Sequence, residues 1–224
     1  NNSTNTGKIQ STSYTQKSIC QGYEGSAQGI GGLVGTSVAP IDGLFDILFE
    51  GYVGNSIGDH KLTITNSSSS GAVETNVPYN AGGIVGFAWG DSLFDNVSST
   101  SNVTSTADVD PMFNFMQFTF NSTGGFVGKI LGGVEGALNI LGRINIENTF
   151  ATGNVFASDK DDRITVAGGY LGLGVFVGEL NIKNSYAAGA VRIENNSPDN
   201  RSVFGGFAGG IVNASSAASA LPPE

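Results

Sequence analysis

The residues of this chain that could do chemistry are few and scattered. There is one histidine, His60, in a Gly-Asp-His-Lys run, and one cysteine, Cys20. A zinc cluster needs several nitrogen or sulfur ligands and a thiolate nucleophile needs a nearby imidazole, so both chemistries are close to excluded. His60 reads as a solvated loop residue. Cys20 reads as a small buried hydrophobe or one end of an intermolecular bridge, since a lone cysteine cannot close an internal disulfide. Acidic residues cluster at Asp159, Asp161 and Asp162 around Lys160, and at Asp108 and Asp110. They lack the EF-hand spacing and the Gly-Gly-x-Gly-x-Asp nonapeptide, so they read as solvated turns, and neither metal nor other cofactor is expected. Glu147 and Glu179, beside Arg143 and Lys183, could be the carboxylates of a polysaccharide lyase or hydrolase, or make surface charge pairs. The run Gly-Leu-Gly-Val-Phe-Val-Gly from Gly172 is only superficially a dinucleotide loop, because no helical pattern follows it. Thr63 and Thr65 supply a single rung where ice binding needs a row. No residue is assigned a catalytic role, and the chain is expected not to be an enzyme.

Composition narrows the partners. At 224 residues the chain holds one domain or two small ones. Charged residues are 13% of the total, about half the usual share. Solubility must therefore come from Ser, Thr, Asn and Gly. A net charge of −9 argues against nucleic acid and against a polybasic membrane anchor. Gly, Asn and Asp break every apolar run before it reaches bilayer length, so membrane insertion is not expected. The abrupt Asn-rich start reads as a processed terminus or a trimmed one.

Position along the chain is more informative than composition. Glycine, 34 of 224 residues, is concentrated in a recurring block. It runs Gly31-Gly32-Leu33-Val34-Gly35, Gly82-Gly83-Ile84-Val85-Gly86, Gly124-Gly125-Phe126-Val127-Gly128, Gly168-Gly169-Tyr170-Leu171-Gly172 and Gly205-Gly206-Phe207-Ala208-Gly209. A second block follows the pattern Ile-x-Asn-[Ser/Thr] and later Gly-x-Val. It occurs at Ile64 to Val73, Phe94 to Val103, Ile146 to Val155 and Ile182 to Val191, and the copy at Phe94 is weakest because it lacks the internal glycine. Leu62 and Ile64, Ile144 and Ile146, and Leu180 and Ile182 are spaced by two with polar residues between, which is strand patterning. Ser92 spoils the parity in the remaining copy.

The same parity carries the apolar face into Asn66, Asn96, Asn148 and Asn184. Two readings follow: an inward asparagine ladder along successive turns, with the later glycine supplying the positive φ of the corner, or asparagine used as a turn residue. The segments between blocks are apolar rather than loop-like, and Phe113, Phe115, Phe118 and Phe120 are candidates for subunit contact. Nine Asn-x-Ser/Thr sequons occur, at Asn1, Asn2, Asn66, Asn96, Asn102, Asn121, Asn195, Asn200 and Asn213. A Ser-rich chain produces some by chance. An inward ladder would leave Asn102, Asn121, Asn195, Asn200 and Asn213 as the better glycan sites.

Together the Gly-Gly-[Leu/Ile/Phe]-Val-Gly block and the Ile-x-Asn-[Ser/Thr]-[Tyr/Phe]-Ala-[Thr/Ala]-Gly-x-Val block resemble the GLUG-motif repeat of large surface and secreted proteins, adhesin-like and haemagglutinin-like chains among them. The resemblance spans roughly residues 30–210 and is good at 124–155 and 168–191. It implies an all-β fold, a parallel β-helix or β-solenoid built from irregular glycine-rich repeats, on the outside of a cell. Residues 1–29 are then an extended lead-in or atypical cap, 30–212 the solenoid and 213–224 a linker-like tail. The expected role is an extracellular or cell-surface structural or adhesive module, glycosylated and able to self-associate as a fibre or homo-oligomer, with a carbohydrate or cell-surface receptor as partner. The alternative is a carbohydrate-active enzyme on the same scaffold.

Overall fold

Period-two patterning becomes strand wherever the chain is described, and no described residue is helical. The computed structural model describes residues 2–11, 29–37, 61–76, 80–106, 120–131, 142–159, 164–176, 178–195 and 202–213. They wind through five coils. Coil 1 holds β1 (Thr4–Asn5), β2 (Ile9–Ser11), β3 (Gly29–Gly31) and β4 (Val34–Ser37). Coil 2 holds β5 (Lys61–Ser69), β6 (Val73–Thr75), β7 (Asn80–Gly82) and β8 (Val85–Trp89). Coil 3 holds β9 (Asp91–Ser99), β10 (Val103–Ser105), β11 (Phe120–Gly124) and β12 (Val127–Leu131). Coil 4 holds β13 (Gly142–Glu147), β14 (Phe150–Ala151), β15 (Val155–Asp159), β16 (Ile164–Gly168) and β17 (Leu171–Phe176). Coil 5 holds β18 (Gly178–Lys183), β19 (Tyr186–Ala187), β20 (Val191–Asn195), β21 (Ser202–Gly205) and β22 (Ala208–Asn213).

Equivalent strands of successive coils pair in parallel and form four sheets. The first runs β1-β5-β9-β13-β18, with β14 and β19 continuing it; the second runs β2-β6-β10-β15-β20. The third runs β3-β7-β11-β16-β21 and the fourth β4-β8-β12-β17-β22. This is a parallel β-solenoid. Leu62 pairs with Ser92, Ser92 with Ile144 and Ile144 with Leu180, so unequal connections leave the register intact. The ladder begins ahead of residue 30, because β1 and β2 already pair with coil 2.

Stacked side chains fill the interior. The residue after each Gly-Gly points inward, and the column Ile84, Phe126, Tyr170 is fully buried. Phe126 stacks on Tyr170 at 4.6 Å and Tyr170 on Phe207 at 4.8 Å, while Phe94 meets Phe126 edge-on at 5.6 Å. Such pairs add about 0.5–1.5 kcal/mol each beyond their burial. The Tyr170 hydroxyl bonds Thr149 Oγ1 at 2.6 Å, which in turn bonds Ser185 Oγ at 2.9 Å. Burial pushes the phenol's pKa well above its ordinary range.

The glycine block is explained by close approach. The third glycine of each block faces the backbone of the third sheet: a Cβ on Gly128 would lie 2.7 Å from Ala81 N, and one on Gly172 2.8 Å from Thr123 N. Sheets three and four therefore touch backbone to backbone, which no larger residue permits.

Candidate functional site

The four equivalent asparagines do form a stacked set, but on the outside of the solenoid. Asn66, Asn96, Asn148 and Asn184 are exposed, and each sits in the left-handed region with φ of 49°, 53°, 54° and 48°. Asn96 Nδ2 donates to Asn66 Oδ1 at 2.7 Å, Asn184 Nδ2 to Asn148 Oδ1 at 3.2 Å and Asn148 Nδ2 to Asp95 Oδ1 at 2.9 Å. The expected inward ladder is corrected by this geometry. One left-handed residue turns the strand and shifts side-chain parity by one, so Ile64 points in, Asn66 points out and Ser67 points in again. Asparagine is the side chain that tolerates this conformation best after glycine. The expected role of the later glycine is corrected too, since Gly71, Gly153 and Gly189 do not have positive φ; among described glycines only Gly90 does. They are glycine because a Cβ would overlap the carbonyl of Gly7, Ser101 and Gly153 respectively in the preceding coil.

A second asparagine series went unrecognised in the sequence. Asn102 Oδ1 accepts the N–H of Asn154 at 2.9 Å, and Asn154 Oδ1 accepts the N–H of Ala190 at 3.0 Å. These bonds satisfy backbone donors at the bend between the first two sheets. Only the Asn-Val endings, Asn102-Val103 and Asn154-Val155, could have signalled it.

The outward columns of the first sheet carry charge. Lys61, Asp91, Arg143 and Glu179 align across four strands, as do Thr65, Asp95, Glu147 and Lys183. Asp91 accepts the backbone N–H of Arg143 at 2.7 Å, and Lys183 meets Glu147 at 3.4 Å with both side chains largely exposed. Exposed pairs of this kind contribute roughly 0–1 kcal/mol. Lys8–Glu74 and Arg192–Glu194 are similar surface pairs on the second sheet. Among the described residues no group of three or more His, Cys, Asp or Glu is placed to hold a metal ion. No described helix is long and apolar enough to cross a membrane.

The candidate glycan sites separate. Asn102 is exposed with its amide nitrogen directed away from its backbone bond. Asn121 is 1% exposed, accepts a bond from Ser105 Oγ at 3.0 Å and has its amide nitrogen buried, so it is corrected as a site on the folded chain. Asn195 and Asn213 end β20 and β22 and pair with Asp159 and Phe176. Asn200 lies outside the described residues, as do Cys20, His60, Asp108, Asp110, Asp161 and Asp162. So do Phe113, Phe115 and Phe118; Phe120 opens β11, paired with Ile164. Among the described residues the exposed large hydrophobics are Tyr186, Val203, Phe204, Ile211 and Val212, all in coil 5.

Lys129 is the other feature without a sequence signal. It is half-buried on β12 over the Phe87 ring at 5.8 Å, and desolvation lowers its pKa to about 8.

Comparison with curated proteins gave no match, and comparison with solved structures gave none. The family model for the GLUG motif matches residues 78–109, which run from just before β7 to beyond β10. That stretch contains the Asn96 copy, the one lacking the internal glycine. Ser101 stands there instead, buried, and its hydroxyl bonds Ser69 Oγ at 2.9 Å without disturbing the register. The chain is thus a parallel β-solenoid of which residues 78–109 match the GLUG-motif model.

Proposed function

We propose that the chain is a structural or adhesive module of the extracellular space or cell surface, glycosylated and assembling into a surface fibre. One observation carries this reading. Among the described residues the five-coil ladder presents outer corners of Asn, Ser and Thr rather than a concave pocket of convergent titratable groups. Short polar side chains in repeating rows suit contact with carbohydrate or with a cell-surface receptor. Exposed sequons at Asn66, Asn96 and Asn102 suit attached glycans, and the outward geometry removes the conflict between ladder and glycan at the first two. Intact-mass analysis of native material, before and after enzymatic deglycosylation, tests it. Replacing Asn102 by Gln removes one glycan increment, whereas replacing Asn121 by Gln leaves the mass increments unchanged. Native protein without glycan would remove the glycoprotein part of the reading.

A carbohydrate-active enzyme on this scaffold is the second reading. Its support is the juxtaposition of Asp95 and Glu147 on neighbouring strands, about 4.8 Å apart by sheet spacing, with Lys183 beside them. A reducing-sugar assay over acidic polysaccharides decides: turnover abolished by Glu147→Gln or Glu179→Gln would replace the structural reading.

A further inference from the structure

Among the described residues, several buried side-chain atoms have no hydrogen-bond partner in the protein, and they concentrate on two neighbouring strands. Asn121 Nδ2, Ser122 Oγ and Thr123 Oγ1 stand on β11, and Thr165 Oγ1 on β16. None of these four residues is more than 1% exposed. A buried polar atom left unpaired is costly, so each one calls for a physical account.

Their directions separate them. β11 packs against β10 and β15, and β16 against β15 and β20, all strands of the second sheet. Asn121 Oδ1 accepts from Ser105 Oγ on β10 at 3.0 Å, so Asn121 faces that sheet. Thr165 is its partner in register and shares the face. Thr123, two residues on, shares it too; its equivalents Ala81 and Ala167 pack with Val73 and Val103, and with Val155 and Ala157. Ser122 lies between them in sequence and points to the other face.

Neighbours along the third sheet distinguish the two threonines. Thr165 is flanked by Asn121 in coil 3 and Ser202 in coil 5, both polar. Thr123 is flanked by Ala81 and Ala167. Across the interior, the register of the second sheet carries Ser105 into Ala157. The Ser–Asn bond of coil 3 therefore has no counterpart in coil 4, because Ala157 has no hydroxyl and a threonine ends one bond short of an asparagine amide. Adjacent strands lie about 4.8 Å apart. Two hydrogen bonds of about 2.8 Å span that distance through one intervening oxygen. Asn121 offers a donor, Thr165 a hydroxyl that donates or accepts, and Ser105 Oγ keeps lone pairs while donating to Asn121. Three such partners are what a buried water uses. All three are uncharged, so nothing here would offset the desolvation of an ion.

We propose that a buried water molecule bridges Asn121 Nδ2 and Thr165 Oγ1 between the second and third sheets. It links coil 3 to coil 4 where direct side-chain bonding stops. Thr123, with alanine on both sides, binds none. This site is independent of the module reading.

The test is oxygen-17 magnetic relaxation dispersion of the whole chain, which reads the oxygen of long-lived internal water and is blind to exchanging hydroxyl protons. Thr165→Val keeps the shape and removes the hydroxyl. It is expected to lose the amplitude of about one water and to melt about 2–4 °C below the parent. Thr123→Val is expected to keep the amplitude and melt at or above the parent, since it removes only an orphaned hydroxyl. Thr165→Ser retains the hydroxyl and should retain the water. Equal amplitude in the parent and Thr165→Val overturns the proposal. So does Thr165→Val melting at or above the parent, because the hydroxyl would then have been unpaired. Amplitude lost in Thr165→Ser or in Thr123→Val overturns it as well, since Thr165 Oγ1 would not be the anchor.

Discussion

Replacing Asn148 isolates the reason that asparagine stands at the solenoid's outer corner. Its φ is 54°, its amide donates to Asp95 at 2.9 Å and its carbonyl accepts from Asn184 at 3.2 Å. Asn148→Ala keeps neither advantage. The left-handed conformation costs an alanine about 1–2 kcal/mol. The two exposed hydrogen bonds add roughly 1 kcal/mol, the low end for such bonds because water replaces them in part. Asn148→Gly loses the same bonds but adopts positive φ freely, so about 1 kcal/mol is expected. Valine should be worst, since β-branching adds to the penalty at positive φ. For a chain of this size each kcal/mol moves the melting temperature by roughly 2–4 °C, so alanine should melt about 4–12 °C below the parent and glycine about 2–4 °C below. Scanning calorimetry, with far-ultraviolet circular dichroism to confirm loss of strand, measures all three. Alanine melting with or above glycine would refute the argument, because backbone conformation would then not be what selects the residue.

Gly125→Ala should destabilise by more than about 4 kcal/mol, since its Cβ would overlap the Gly169 carbonyl and lie 3.3 Å from Ala151 Cβ; loss of soluble folded protein or a large fall in denaturant midpoint checks this. Tyr170→Phe keeps the stack and removes the Thr149 bond, so a loss of about 0.5–1.5 kcal/mol in chemical denaturation is expected. Because burial raises the phenol's pKa in the folded chain, its contribution is whole below pH 10, the ordinary tyrosine value, and declines above it. Ultraviolet titration at the tyrosinate band should show one of six tyrosines ionising only as the fold is lost. Lys129 has the opposite sign: desolvation lowers its pKa from 10.5 to about 8, so the folded chain binds fewer protons than the unfolded one between those values and stability rises with pH across them. Lys129→Met should therefore raise the melting temperature at pH 7, with the gain shrinking toward pH 10; an equal gain at both pH values would discount desolvation as the cause.

Strand character and repeat boundaries were legible without the structure because both are local. Alternation in Lys61 to Thr65 and Arg143 to Glu147 fixes which side chains share a face, and the Gly-Gly blocks mark the bend between sheets three and four. Parity failed at one residue per coil. Extending the count through Asn66 assumes an extended backbone, whereas a single left-handed φ resets which face the next residue occupies. Burial of Asn121 was equally illegible, since its neighbours across the interior, Ser105 foremost, come from another strand.

What the sequence determined by itself is the repeat, its class and the poverty of chemistry: one histidine, one cysteine and a recurring Gly-Gly block. What tertiary structure decided is the reason for each glycine and the direction of each asparagine. Glycine is required by a carbonyl in the adjacent coil, which lies about 36 to 64 residues away in sequence and about 4.8 Å away in space. Asparagine faces outward because backbone conformation at the corner outweighs the parity of the strand leading to it.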